Sequence, residues 1–233
     1  MKKEILITGA SRGLGFCLVR RYLEEGSRVF AGYRGCNAEG LTSLKKEYGN
    51  LLEPVILDVT DTASVQAAAA KVAELTGHLD IIINSAGIHC DTSFDILEET
   101  NLDDCNSVYD VNAVGPLRVV KAFLPLIKKG TVPKIINISS ESGSITWTGR
   151  VKEFDYCMSK AALNMGTKLL SNYLKEDKII VVAVQPGWMR TDMGGPNADL
   201  DPYENAGKLA ALFHRIEENH PVFIDNEGKA IPW

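Results

Sequence analysis

The chain has 233 residues, 45% of them hydrophobic and 24% charged, with a net charge of −5 and a pI near 5.5. Such a length buries a substantial core without staples, and the acidic balance argues against a general binder of phosphate backbones. No apolar run approaches the eighteen or more residues of a membrane span, so neither nucleic acid nor a membrane is an expected partner.

The N-terminus, MKKEILITGA, places two lysines ahead of a short strand-like run, too short an apolar stretch for a secretory signal. The five cysteines, Cys17, Cys36, Cys90, Cys105 and Cys157, are scattered and contain no Cys-x-x-Cys pair. They predict neither a disulfide framework nor a metal site, and the chain reads as a reduced, cytoplasmic protein. Along the chain, short apolar runs alternate with longer amphipathic segments. The strand-like runs are EILITG, RVFAGYR, EPVILDV, LDIIINSAG, KIINISS and IIVVAVQPG, with a weaker last one, PVFIDNEG. The predicted helices are Leu14 to Glu25, Ala38 to Tyr48, Ala63 to Leu75, Leu102 to Lys129, Tyr156 to Lys175 and Tyr203 to Glu217. Runs apolar throughout suit strands covered on both faces, and their alternation with helices predicts a doubly wound parallel α/β sheet of about seven strands. No linker or low-complexity tract interrupts the pattern, so residues 1–233 are expected to form a single domain. The long fourth helix contains NAVGP, which predicts a kink or irregular turn near Gly115 and Pro116. RTDMGGPNADLDPYEN reads as a loop at the carboxyl edge of the sheet, where ligands bind in such folds.

The first strand-to-helix junction reads ITGASRGLG. Gly9, Gly13 and Gly15 there let the backbone turn tightly and approach a pyrophosphate held by the helix N-terminus. A plain tight turn is the competing explanation, and the position between first strand and first helix favours the nucleotide. The second strand ends in AGYRG, with Tyr33 and Arg34 where an NAD-binding fold carries an acid about 20 positions past the turn. Arg34, with Arg12 inside the glycine turn, suits a 2′-phosphate, so NADP(H) is preferred over NAD(H). In DYCMSK, Tyr156 and Lys160 stand four residues apart on one helical face. A tyrosine titrates near pH 10 on its own, and a neighbouring ammonium favours its ionised form. The pair is therefore a candidate acid/base.

TGASRGLG, NSAG, Asn112, NISS, YCMSK and PGWMRT occur in this order, and with them the chain resembles the short-chain dehydrogenases/reductases over essentially its whole length. Within that family PGWMRTDMGGPNADL and FIDNEGKAIPW resemble the branch of C-factor-like and sniffer-type carbonyl reductases. The resemblance implies a Rossmann-like fold and a nicotinamide cofactor. It implies that Tyr156 is the acid/base, that Lys160 lowers its pKa and holds the nicotinamide ribose, that Ser140 hydrogen-bonds the substrate oxygen, and that Asn112 supports a water relay to Lys160. It also implies that Gly9, Ser11, Arg12, Gly13, Leu14 and Gly15 form the cofactor turn, with Arg34, Asp58 and Val59 beside the adenine half. Asn84, Ala86 and Gly87 would line its ribose, and Pro186, Gly187 and Thr191 would face the nicotinamide. No metal is implied.

One feature departs from the family pattern. Ser140 precedes Tyr156 by sixteen residues, more than is usual in the family, so ESGSITWTGRVKEFD is extended and Ser142 or Ser144 are alternatives to Ser140. Ile88, Trp147, Trp188 and Met193 would give a mostly apolar substrate wall, with packing an equal account of the two tryptophans. The expected reaction is hydride transfer between NADP(H) and a medium-sized, partly apolar ketone or aldehyde, or the matching secondary alcohol. Two other readings stand beside it: a cofactor-binding regulator of the same fold that barely catalyses, and an unrelated nucleotide-binding α/β protein. The family also implies pairing through long helices as a homodimer or homotetramer.

Overall fold

The computed structural model describes residues 2–36 and 38–233. Seven strands form one sheet: β1 (Glu4–Ile7), β2 (Arg28–Tyr33), β3 (Leu52–Ile56), β4 (Ile81–Asn84), β5 (Lys134–Ile138), β6 (Ile180–Val184) and β7 (Phe223–Ile224). Their order is β3-β2-β1-β4-β5-β6-β7, and every neighbouring pair is parallel. The order reverses direction between β1 and β4, which opens a crevice at the carboxyl ends of those two strands.

The helices follow from the apolar spacing. They are α1 (Gly13–Glu24), α2 (Glu39–Tyr48), α3 (Thr62–Leu75), α4 (Cys105–Tyr109), α5 (Gly115–Ile127), α6 (Phe154–Tyr173) and α7 (Pro202–Arg215). Ile5, Ile7 and Ile83 pack with Leu18, Tyr22 and Phe213 on one face of the sheet. Leu6, Phe30 and Ile82 pack with Val72, Val119 and Phe123 on the other. This alternation along β1 gives the sheet two separate hydrophobic layers, as strands covered on both faces require.

The expected helix from Leu102 to Lys129 is not a single regular helix. It enters through a 3-10 turn at Leu102–Asp104, runs as α4, widens into a π turn at Asp110–Val114 and continues as α5. Pro116 supplies no N–H to the ladder, and the Gly115 N–H reaches back five residues to the Asp110 carbonyl. The predicted irregularity is thus a widened turn that begins before Gly115, and it carries Asn112. The weak last strand is present but short, two residues paired to β6.

Candidate active site

A cavity of about 780 Å3 runs along the carboxyl edge of the sheet. Its floor is the glycine turn between β1 and α1. Gly9 and Gly13 adopt left-handed backbone conformations, with φ of 64° and 55°. A Cβ at Gly9 would stand 2.7 Å from the Ala86 Cα, and one at Gly15 would stand 2.3 Å from the Gly9 carbonyl. The chain can pass this closely only without side chains. The buried Thr8 hydroxyl accepts from the N–H groups of Ser85 and Ala86 at 3.1 and 3.3 Å, which ties the loop after β4 to the turn. No side chain caps the N-terminus of α1 and no acid lies in its first turn. Its free N–H groups and dipole therefore face the cavity ready for an anion.

At the end of β2, Tyr33 and Arg34 line the same cavity, as do Ser11, Arg12, Leu14, Asp58 and Val59. Arg12 is exposed and paired with Asp192 at 3.2 Å. Burial alone would raise the Asp58 pKa, but hydrogen bonds from Thr60 and the charges of Arg34 and Arg118 bring it below the usual value. Asp58 also closes the turn after β3, accepting from the Thr60 N–H at 2.9 Å.

The other wall is built by β5, α6 and the loop after β6. Ser140 leaves β5 at the sheet edge, and Tyr156 and Lys160 lie one turn apart on α6. A buried polar chain fixes that helix to the sheet: Asn84 Nδ2 donates to Asn137 Oδ1, and Asn137 Nδ2 to Thr167 Oγ1, both at 2.8 Å. Asp155 pins the helix start by accepting from the Ser93 hydroxyl at 2.6 Å and the Cys90 N–H at 2.8 Å. Asn112 is fully buried behind the cavity, where it exchanges hydrogen bonds with the Ile88 backbone at 2.9 and 2.8 Å and donates to Ser159 at 3.0 Å. A methyl group on Gly87 would stand 3.5 Å from Asn112 Oδ1 and 3.7 Å from Lys160 Nζ, so the glycine keeps clear the space in front of both.

The Lys160 side chain is buried and its ammonium donates to the Ile138 carbonyl at 2.8 Å, the ammonium's only hydrogen bond among the described residues. Burial lowers its pKa to about 8. Its ammonium lies 5.5 Å from the centroid of the Tyr156 ring. Burial pushes the Tyr156 phenol above its ordinary value, the charge of Glu141 adds to the rise, and the neighbouring Ser140 hydroxyl offsets part of it. The phenol drawn down by Lys160 that the helical spacing implied is therefore not what this arrangement gives. Desolvation outweighs an ammonium that is turned toward a carbonyl.

These features belong together in a known family. The sequence profile of the family described as short chain dehydrogenase matches residues 3–200. The chain belongs to the short-chain dehydrogenase family. It is 35% identical to the C-signal of Myxococcus xanthus across 68% of this chain and 95% of that one. Among solved structures, the NADPH-bound carbonyl reductase from chicken fatty liver is 36% identical with a TM-score of 0.91, covering 100% of this chain and 99% of the other. The carbonyl reductase Sniffer of D. melanogaster is 29% identical with a TM-score of 0.93, and each chain covers 100% of the other. An unrelated nucleotide-binding protein is thereby excluded.

The cavity gathers most of the residues singled out by sequence, including Ser140, Tyr156, Lys160, Ala86, Gly87, Ile88, Pro186, Gly187, Trp188, Thr191 and Met193. Asn84 and Asn112 stand behind it. Trp147 is not on its wall: it is 55% exposed and lies beyond the Ser140 turn. The segment that carries it is strapped instead to the chain end, since Ser144 Oγ donates to the Pro232 carbonyl and the Thr146 N–H to that of Trp233, at 2.6 and 2.9 Å. This also removes Ser144 from the cavity, whereas Ser142 remains beside Ser140, the two hydroxyls 3.0 Å apart.

Sequence reasoning missed Glu141, Arg150 and Glu153, which give the expected apolar wall a charged side. Glu141 accepts from Arg150 at 2.7 Å and from the Ser140 hydroxyl at 3.0 Å, and Arg150 also pairs with Glu153. Burial raises the Glu141 pKa, but the Arg150 guanidinium and its other donors leave it below the usual range. Glu153 occupies the N-cap position of α6 without a capping hydrogen bond from its side chain, in a left-handed conformation, φ 61°, uncommon for a residue with a Cβ. The available signal was charge inside the extended serine–tyrosine segment. Among the described residues no cluster of metal-ligating side chains occurs, and no helix is long and apolar enough to cross a membrane.

Proposed function

We propose that this protein is an NADPH-dependent carbonyl reductase acting on small aldehydes or ketones. The observation that carries the reading is the placement of Ser140 and Tyr156 on the same cavity as an uncapped helix N-terminus and a glycine turn. The fit to a dinucleotide rests on that open N-terminus, on the clearance kept by Gly87 in front of Lys160, and on a β2 end that offers Arg34 rather than an acid. Arg12 and Arg34 would take the 2′-phosphate, Asp58 and Val59 the adenine side, and Lys160 the nicotinamide ribose hydroxyls. The chemistry that a bound NADPH would supply there is a hydride for the carbonyl carbon, with NADP+ as the oxidised form.

Negative charge grows on the substrate oxygen as that carbon is reduced. Tyr156 transfers its proton to this oxygen, and the product is the alcohol. Ser140 would donate to the same oxygen once its hydroxyl turns from Glu141 Oε2, which accepts it at 3.0 Å. The Tyr156 phenol carries its proton at neutral pH, as a donor must, and burial that holds its pKa above the ordinary value makes it a weaker acid, so the proton passes only as negative charge grows on the substrate oxygen. Asn112, through its hold on Ile88 and Ser159, keeps the wall behind Lys160 in place.

The test is NADPH and NADH oxidation against a panel of aldehydes, ketones and quinones, with Tyr156→Phe as control. Turnover with NADPH that the variant loses is the expected result. Similarity to C-signal favours a second reading, a cofactor-binding regulator; tight NADPH binding with no turnover across the panel would select it. Leu117, Met165, Leu169 and Tyr173 on α5 and α6 are exposed apolar side chains, and we propose this face as the contact of a homodimer or homotetramer. All five cysteines are free thiols, which fits the proposed cytoplasmic location.

A further inference from the structure

The reduction scheme above gives no role to the two carboxylates and one guanidinium that stand beside Ser140. Glu141 follows Ser140 in the chain and shares the cavity wall with Tyr156. Arg150 fixes its direction: Oε1 accepts from Arg150 Nη2 at 2.7 Å, so Oε2 faces the Ser140 hydroxyl at 3.0 Å. Gln185 Nε2 approaches the same Oε2 at 3.4 Å. Arg150 is shared with Glu153, so the three side chains together keep a negative charge.

The Ser140 hydroxyl marks where a substrate oxygen docks. A substituent close to the carbonyl therefore comes within reach of Glu141 Oε2. The Glu141 side chain is 44% exposed and opens on the cavity, where its field is less screened than on an open surface. Lys160, the other cation of this wall, is buried and bound to the Ile138 carbonyl. An anion placed beside Oε2 meets repulsion, while a cation or an N–H or O–H donor meets an acceptor already oriented.

We propose that Glu141 determines specificity in the substrate half of the cavity. It selects carbonyl compounds bearing an amine, another cation or a hydroxyl near the carbonyl, and it turns away carboxylates. This rests on the carbonyl reductase reading of the same site.

The test uses three meta-substituted benzaldehydes carrying a trimethylammonium, a methyl or a carboxylate group, with kcat/KM measured with NADPH for each. The wild-type protein should favour the cation over the anion by about tenfold or more, with the methyl compound between them. Glu141→Gln, which keeps the volume and removes the charge, should lower that ratio by about tenfold or more, toward the intrinsic reactivity ratio of the two aldehydes. Arg150→Gln, which leaves both carboxylates unneutralised, should raise it, and it carries the test if Glu141→Gln fails to fold. A ratio uses each variant as its own reference, so a change in overall activity cancels. A wild-type ratio at or below one, or a ratio unmoved by both substitutions, overturns the proposal while methyl turnover leaves the reductase reading standing. Absence of turnover with these three and with the whole panel of aldehydes, ketones and quinones would overturn both.

Discussion

The two halves of the cavity are built in different ways. The half proposed for the cofactor is made of backbone: glycines that pass within contact distance, a helix N-terminus without a cap, and a threonine that staples two loops. The half proposed for the substrate is made of side chains on an extended segment, held by an ion network and a strap to the carbonyl of Pro232. Backbone architecture fixes where a pyrophosphate can lie and leaves little freedom to vary. Side chains on a loop set what is admitted next to Tyr156 and can change without disturbing the sheet.

The cofactor half should break hardest. Gly9→Ala forces a Cβ onto the Ala86 backbone at a residue with φ of 64°. It should cost about 2–6 kcal/mol of stability from strain and overpacking together, read as a lower urea midpoint, and NADPH binding should go with it. Tyr156→Phe keeps the ring and should leave the fold and NADPH binding intact. It should lower kcat by roughly 10²–10⁴-fold, and an equal loss of NADPH binding would place the tyrosine in the wrong half.

Arg34→Ala and Arg12→Ala should each weaken NADPH binding by about tenfold or more, the worth of one charged hydrogen bond, and leave NADH binding unchanged. A uniform loss for both cofactors would assign the arginines to the fold instead.

The effect of pH is smaller and spans both halves. Reduction should decline as pH rises through about 8, where Lys160 loses its charge. Stability should move the other way. Lys160 and Lys134 both fall from 10.5 to about 8 on folding, so between those values the unfolded chain binds more protons and stability rises with pH. Above about 10 the raised phenols of Tyr22 and Tyr156 oppose this, because the unfolded tyrosines ionise first. Urea unfolding from pH 8 to 9.5 measures the slope, and Lys134→Met should flatten it. Trp147→Ala should do least, changing stability by less than about 0.5 kcal/mol and leaving KM unmoved, as expected of an exposed side chain off the cavity.

The strand–helix alternation, the sheet class and the glycine turn were legible because each is carried by local composition: apolar runs of strand length, amphipathic spacing, and glycine where a side chain cannot fit. Tyr156 and Lys160 were legible because four residues make one helical turn. The irregularity around Gly115 was legible as a proline effect, but not its form, because a widened turn depends on which carbonyl the Gly115 N–H finds.

Other properties depend on groups far apart in sequence meeting in space. Tyr156 is held above its ordinary value by desolvation at the cavity wall and by the charge of Glu141, and no spacing rule reports desolvation. Trp147 leaves the cavity because the carbonyls of Pro232 and Trp233 hold its segment from the far end of the chain. Glu141 becomes part of the substrate wall only when Arg150, nine residues later, turns one of its oxygens and leaves the other facing Ser140. Sequence alone determined the fold and which side chains the sheet edge presents, since both follow from local periodicity and residue type. Tertiary structure decided the electrostatics of Tyr156 and the shape of the cavity wall around it, since burial and charge pairing exist only once distant segments close around the site.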